Sequence, residues 1–311
     1  MSPVTIRLGL QIPNFSYGTS VSELFPTVIA QAREAEQAGF DSVFVMDHLY
    51  QLPGLGAPEE PMLEAYTALG ALAAATEKVQ LGTLVTGNTY RNPTLLAKEI
   101  TTLDVISQGR AILGIGTGWF ELEHDSLGYE FGTFTERFKK LDEALEIILP
   151  MLKGDRVTFD GEYYRTKEAF ANPRFRDHIP LMIGGSGEKK TIPLAARHFD
   201  HLNIIAGFDE LARKVAVVKE NCEKIDRDPA TLETSVLAIA LIGEQYTADA
   251  IPDDFKQQAV YGSPQQIAEQ LKEKVYDAGV DGVILSAFTI GGYTPGGVAA
   301  VGEALRPLIA G

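Results

Sequence analysis

The run Ala38-Gly39-Phe40-Asp41-Ser42-Val43-Phe44-Val45-Met46-Asp47-His48 decides the fold. Its Gly39 reads as a helix stop, because a residue without a side chain enters the left-handed conformation that closes a helix. A short, wholly apolar strand follows and ends abruptly in a carboxylate and an imidazole. The phrase returns late in the chain as Ala278-Gly279-Val280-Asp281-Gly282-Val283-Ile284-Leu285. A helix stop followed by a strand apolar on both faces is the unit of a parallel sheet covered by helices.

Outward from that run, such units tile the chain. Strands are expected at 6–11, 42–46, 79–85, 111–115, 180–183, 201–205, 233–242 and 283–286, and helices at 24–38, 64–75, 94–107, 135–153, 189–198, 209–224, 263–277 and 297–309. Pro93 suits the first turn of its helix, where a missing N–H is harmless. Val157–Tyr164 reads as a hairpin turning on Asp160-Gly161. Eight alternating units favour an α/β (β/α)8 barrel of the TIM type over an open doubly wound sheet. No stretch rich in Pro, Gly or Ser divides them, so residues 1–311 are expected to form a single domain with insertions at the carboxyl ends of the strands. Residues 58–61 and 249–260 are candidate lids.

Composition narrows the function. Net charge is −15, from 42 acidic against 27 basic residues. Such a field repels nucleic acid and anionic lipid. The pairs Lys139-Lys140 and Lys189-Lys190 stand isolated against it. Cys222 is the single cysteine, so no intrachain disulfide forms, and it reads as a partly buried helix residue rather than a nucleophile. Met1–Thr5 lacks the basic-then-apolar build of a signal peptide. No run of about 18 apolar residues offers a membrane span. A reducing cytoplasm is the expected compartment. The five histidines are scattered, with His198 and His201 straddling a turn, so no metal is expected. No G-x-S-x-G nucleophile elbow occurs.

Ligands of parallel α/β proteins sit at the carboxyl ends of the strands. There Asp47-His48 could orient a proton donor or hydrogen-bond a heteroaromatic ring, or simply cap and pack. Gly114-Ile115-Gly116-Thr117-Gly118-Trp119 departs from the dinucleotide fingerprint in spacing and shows no immediate helix start. It reads as backbone left bare for the close approach of a flat ring. Glu121, Glu123 and His124 beyond it read as a polar loop. Gly184-Gly185-Ser186-Gly187-Glu188-Lys189-Lys190-Thr191 is not a P-loop, since Lys189 stands where the second glycine belongs. It is nonetheless a glycine-rich turn from strand to helix, the geometry that cradles a phosphate with backbone N–H groups.

Together these stretches, with Leu81–Pro93, Gly109–Trp119 and Tyr261-Gly262-Ser263-Pro264, resemble the bacterial luciferase-like superfamily, and within it the actinobacterial F420-dependent oxidoreductases. The resemblance spans nearly the whole chain. It implies a barrel that binds the deazaflavin F420, with FMN as the alternative cofactor. It implies that Asp47 and His48 lie beside the redox ring as catalytic residues, that Leu84–Val85 is a non-prolyl cis peptide against the ring's face, and that Thr117 and Gly118 touch the ring. Gly184, Gly185, Ser186 and Gly187 match the phosphate loop. Trp119 stands where the sugar-phosphate dehydrogenases of this branch carry an acidic proton donor. That speaks against a sugar phosphate and for an apolar or aromatic small-molecule substrate, in a pocket to which Tyr50 and Asn14 are also assigned. The expected activity is hydride transfer between F420 and an activated C=C, C=N or C=O group or an alcohol. A monooxygenase using reduced FMN and O2, and a barrel that binds cofactor without turnover, are the alternatives. A homodimer is expected.

Overall fold

Asp41, Asp200 and Asp281 each precede a strand, and each reaches the start of the strand before or beside it. The Asp41 carboxylate accepts the N–H groups of Arg7 (2.8 Å) and Leu8 (3.0 Å). Asp200 accepts that of Leu181 at 2.9 Å, and Asp281 that of Thr234 at 2.8 Å. The computed structural model, which describes residues 6–251, 253–287 and 293–309, places these contacts at the amino-terminal rim of a closed parallel barrel. The Met1–Thr5 segment lies outside the described residues.

Strand β1 (Leu8–Ile12) pairs with β2 (Ser42–Val45) on one side and with β8 (Gly282–Ala287) on the other. From β2 the ring continues through β3 (Gln80–Thr83), β4 (Ala111–Gly116), β5 (Leu181–Gly184), β6 (His201–Ile204) and β7 (Glu233–Ile242), which pairs with β8. All eight expected strands are present, and all eight pairings are parallel.

Nine helices are described: α1 (Val21–Gln37), α2 (Ala65–Ala75), α3 (Pro93–Ile106), α4 (Glu121–Leu127), α5 (Phe134–Lys153), α6 (Thr191–His198), α7 (Leu211–Glu223), α8 (Pro264–Leu271) and α9 (Gly297–Ile309). Their ends follow local chemistry. The Asn92 side chain accepts the Thr94 N–H ahead of Pro93, and Thr133 with Glu136 forms a reciprocal capping box at the start of α5. The main apolar core lies between helices and strands. A smaller one, Ile6, Phe44, Ile112, Met182 and Ile284, fills the barrel, with Leu84, Val85 and Leu237 packed on it. Its strand members alternate with residues of the outer core, as the twofold period of a strand requires.

The structure departs from the sequence reading in four places. Residues 121–127 form α4, not a loop. The second arm of the hairpin is Arg165–Ala169, paired with Val157–Asp160. Residues 249–260 are not one irregular lid: two 3-10 turns lead into Ala259–Gly262, which pairs with Ile239–Ile242 of β7. The expected helix 263–277 divides into α8 and a π turn, Lys272–Tyr276. Among the described residues no helix is long and apolar enough to cross a membrane. Cys222 is fully buried in α7, and burial pushes its thiol up.

Candidate active site

The carboxyl ends of β2 to β5 open into a cavity of about 370 Å³. Asp47 and His48 follow β2 directly. Asp47 is buried; its Oδ2 accepts the Gly87 N–H at 3.0 Å and the Arg91 guanidinium at 2.6 Å. Arg91 also binds Glu64 at 2.6 Å and Glu99 at 3.1 Å, and lies over the Tyr66 ring. Burial pushes the Asp47 carboxyl up, against the pull of Arg91. Burial would lower Arg91 too, but the Asp47 carboxylate outweighs it and holds the guanidinium above its ordinary value. Asp47 is thus a fixed member of an ion-pair cluster that anchors residues 87–91 under the cavity.

His48 is differently placed. Its side chain is 13% exposed, and Nδ1 lies 2.9 Å from Oε2 of Glu123, which is 0% exposed. Glu123 also accepts the N–H groups of Leu49 and Tyr50 (2.8 Å to the latter) and the Tyr90 hydroxyl. Burial pushes the Glu123 carboxyl up, but the bonds from His48, Tyr90 and Tyr50 prevail and hold it below the usual range. An ionised Glu123 makes Nδ1 the donor and leaves Nε2 as the imidazole atom free for other chemistry. The ring stands edge-on to Trp119 at 5.6 Å and to Phe120 at 5.8 Å.

The cavity floor is the Leu84–Val85 peptide, which is cis. The Leu84 N–H donates to the Val45 carbonyl at 3.0 Å. The Val85 side chain wedges between β4 and β5: a Cβ added at Gly116 would lie 3.0 Å from its Cγ2, and one at Gly184 would lie 3.2 Å from both its methyl groups. The bareness of 114–118 therefore serves the protein's own packing as well as the cavity. At Gly114 a Cβ would fall 2.1 Å from the Thr83 carbonyl oxygen, and Gly118, at φ +77°, faces Thr89. Those contacts give the glycines a packing role beside the close approach of a flat ring expected from the sequence.

At the far wall, Gly184, Gly185 and Ser186 line the cavity with Thr191, the first residue of α6. Gly185 has φ +138°, where a side chain would be strained. The Lys214 ammonium donates to the Ser186 carbonyl at 3.1 Å and to Glu188 at 2.8 Å, which pins the turn from behind.

Of the sequence-assigned residues, the cavity brings together Asp47, His48, Leu84, Val85, Thr117, Gly118, Trp119, Gly184, Gly185 and Ser186. Gly187 sits just behind the lining, its carbonyl accepting the Ile192 N–H at 3.0 Å. Asn14 and Tyr50 do not line the cavity; Tyr50 takes part through its backbone bond to Glu123. The sequence reading missed Arg91, Glu123 and Tyr90. Gly128, which closes α4 at φ +78°, is the signal that would have marked the helix carrying Glu123. Among the described residues no metal-binding group of His, Cys, Asp or Glu gathers.

A family model described as luciferase-like monooxygenase matches residues 6–248. The chain belongs to that luciferase-like family. A relative from Nakamurella multipartita, named F420-dependent glucose-6-phosphate dehydrogenase, is 39% identical over 195 residues, 61% of this luciferase-like chain and 54% of that protein. One of the same name from Beutenbergia cavernae is 36% identical over 227 residues, 71% of this chain and 66% of the relative. The chain thus spans about half to two thirds of the length of these relatives. A solved F420-dependent secondary alcohol dehydrogenase, in complex with an F420–acetone adduct, superposes with a TM-score of 0.83 over 98% of this chain and 99% of its own, at 20% identity. That likeness places the luciferase-like barrel among enzymes of the same fold.

Proposed function

We propose that the chain is an F420-dependent oxidoreductase acting on a small apolar or aromatic substrate. The observation that carries the reading is one cavity with a glycine-rich strand-to-helix turn on one wall and the His48–Glu123 pair on another. The names of the relatives support F420 as the cofactor. The residues present fit it. The Gly185 N–H is taken by the Asn203 carbonyl at 2.9 Å and the Ile192 N–H by that of Gly187 at 3.0 Å, so the Ser186 N–H and the Thr191 hydroxyl are the lining groups left to meet a phosphate, and Val85 offers an apolar face beside Thr117 and Gly118 for a ring.

When bound, F420 supplies the hydride chemistry. The chain's own work is to position and to move a proton. With an alcohol, His48 would take the hydroxyl proton at Nε2 while the bound cofactor accepts the carbinol hydride; with a carbonyl substrate His48 would return the proton to the oxygen as the reduced cofactor gives the hydride to carbon. Glu123 holds the imidazole in the required tautomer and balances the charge it gains. Trp119 (60% exposed), Phe134 (57%) and Ile205 (49%) form the outer lining, and among the described lining residues there is no Lys or Arg. A dianionic sugar phosphate, the substrate named for the relatives, finds no counter-charge there.

Fluorescence titration of the purified protein with F420 and, separately, FMN tests the reading. Micromolar or tighter F420 binding with weak FMN binding, followed by F420 reduction with a secondary or benzylic alcohol, is the expected result. Preference for FMN with O2 uptake coupled to product would move the chain to the flavin monooxygenases. Tight F420 binding without turnover across an acceptor panel would make it a cofactor-binding barrel.

A further inference from the structure

Glu123 divides its donors by oxygen. Its Oε1 takes the backbone N–H groups of Leu49 and Tyr50, which hold the carboxylate plane in place. Its Oε2 takes two side chains, the His48 imidazole at 2.9 Å and the Tyr90 hydroxyl. An ionised carboxylate only accepts, so both hydrogens point at one oxygen. Tyr90 is then more than a partner for a buried acceptor. The charge its O–H draws from Oε2 is charge that the imidazole does not feel.

The phenol is placed to remain a donor. Burial, and after it the bond to Glu123, pushes the Tyr90 hydroxyl far above its ordinary value, so it keeps its proton while the imidazole gains and loses one. Its ring packs against His124 at 4.9 Å and Tyr129 at 5.5 Å, and it lines the cavity together with His48. The other titratable neighbours are committed elsewhere. Asp47, whose charge also reaches Tyr90, pairs with Arg91 at 2.6 Å. The His124 nitrogens lie 2.8 Å from the Phe120 carbonyl and 2.7 Å from the Thr89 hydroxyl. Beside His48 stand the uncharged rings of Trp119 and Phe120. The charge that a protonated imidazole meets is therefore set by Glu123, and Tyr90 shares it.

We propose that Tyr90 is a positioning residue that divides the charge of Glu123 Oε2 with His48, and so loosens the hold of that carboxylate on a protonated imidazole. The inference rests on the reading of His48 as the group that takes and returns the substrate proton. A buried carboxylate with no second donor favours the charged form of a neighbouring base. A base held too firmly in that form neither accepts a proton from an alcohol nor gives one up readily. No proton moves at Tyr90 itself.

The test is Tyr90→Phe, which keeps the ring and removes the O–H. In the protein without cofactor, the NMR titration of the imidazole signal that His48→Ala deletes should move up by about 0.5 to 1 pH unit. In F420-dependent alcohol oxidation the acid side of the kcat profile should move up with it, which makes the rate there about 3- to 10-fold lower, with KM little changed. 3-Fluorotyrosine at position 90, a stronger donor of nearly the same shape, should move the signal down. On a Glu123→Gln background Tyr90→Phe should add no shift, because the shared charge is gone. A signal that stays in place or moves down in Tyr90→Phe, with the thermal melt unaltered, would overturn the proposal. So would a rate lost equally at every pH, the result of a merely structural phenol. A shifted imidazole signal in a protein that binds no F420 would remove the F420 reading and leave the division of the Glu123 charge standing.

Discussion

Glu123 has no contact with solvent, yet it collects four donors, and one of them is the imidazole that faces the cavity. A buried carboxylate is tolerated only when so satisfied. Glu123→Gln keeps the shape but replaces one acceptor oxygen with an NH2 group, which cannot accept the Nδ1 proton. The imidazole then turns to the other tautomer, and Nε2 carries hydrogen when it should accept it. Turnover of an alcohol substrate should fall roughly 10²-fold, and His48→Ala at least as far, while F420 affinity changes little. A stopped-flow rate paired with an F420 titration checks both, and an unchanged rate in His48→Ala would take that residue out of the mechanism. At this scale the sequence was partly legible. Asp47 and His48 stand at a strand end, where position alone advertises them. Glu123 does not, because its importance comes from burial and from a partner 75 positions away, and its neighbours Glu121 and His124 look like those of any polar loop.

Elements were easier to read where their own chemistry marks them. The eight strands appear in the sequence because strands buried on both faces are continuous apolar runs, and α5 because residues 135–153 carry a long amphipathic period. Helix α4 escaped because Phe120 at its N-cap makes no side-chain bond, which leaves Glu121 and Glu123 in its first turn as the start signal. The pairing of Ala259–Gly262 with β7 escaped because it is a tertiary event between segments separated by two turns. Arg110 shows how elements are fastened. It ends the turn between α3 and β4, and its guanidinium donates to the carbonyls of Ala73, Thr76, Val79 and Ser107 at 2.8 to 3.0 Å, and to the Thr76 hydroxyl at 3.0 Å. These include carbonyls that the ends of α2 and α3 leave unpaired. Arg110→Lys cannot span that set with one ammonium. It should destabilise the protein by on the order of 3 kcal/mol, given about 1–3 kcal/mol for each buried group left unsatisfied. Urea unfolding followed by tryptophan fluorescence measures it, and a loss below about 1 kcal/mol would mean water replaces the guanidinium.

The whole molecule is closed by strand registers set at its amino-terminal rim, and the echo between residues 38–45 and 278–285 is the written trace of that device. Asp41 and Asp281 occupy matching places in the two phrases, and each fastens the backbone of a neighbouring strand. Asp200 does the same for β5 without the surrounding phrase, so the repeat in sequence understates the repeat in structure. Asp41 also gives the fold a pH dependence whose sign can be worked out. Burial pushes its carboxyl up from 3.8 to about 6, despite the bonds it accepts from Leu8, Arg7 and Ser42. Between those values the folded protein holds a proton that the unfolded chain has released. The stabilisation is therefore complete below about pH 3.8 and is lost as pH rises through about 6. A difference of that size corresponds to an upper bound on the order of 3 kcal/mol. The chain's other carboxylates titrate over the same range, so the isolating measurement is a difference. Asp41→Asn cannot ionise, and its stability relative to the unaltered protein should rise between pH 4.5 and 7 and level off above. Urea midpoints for the two proteins across that range supply the curve. A constant difference would mean that the Arg7, Leu8 and Ser42 donors keep Asp41 ionised throughout, and that the rim is held by a carboxylate at every pH at which the barrel stands.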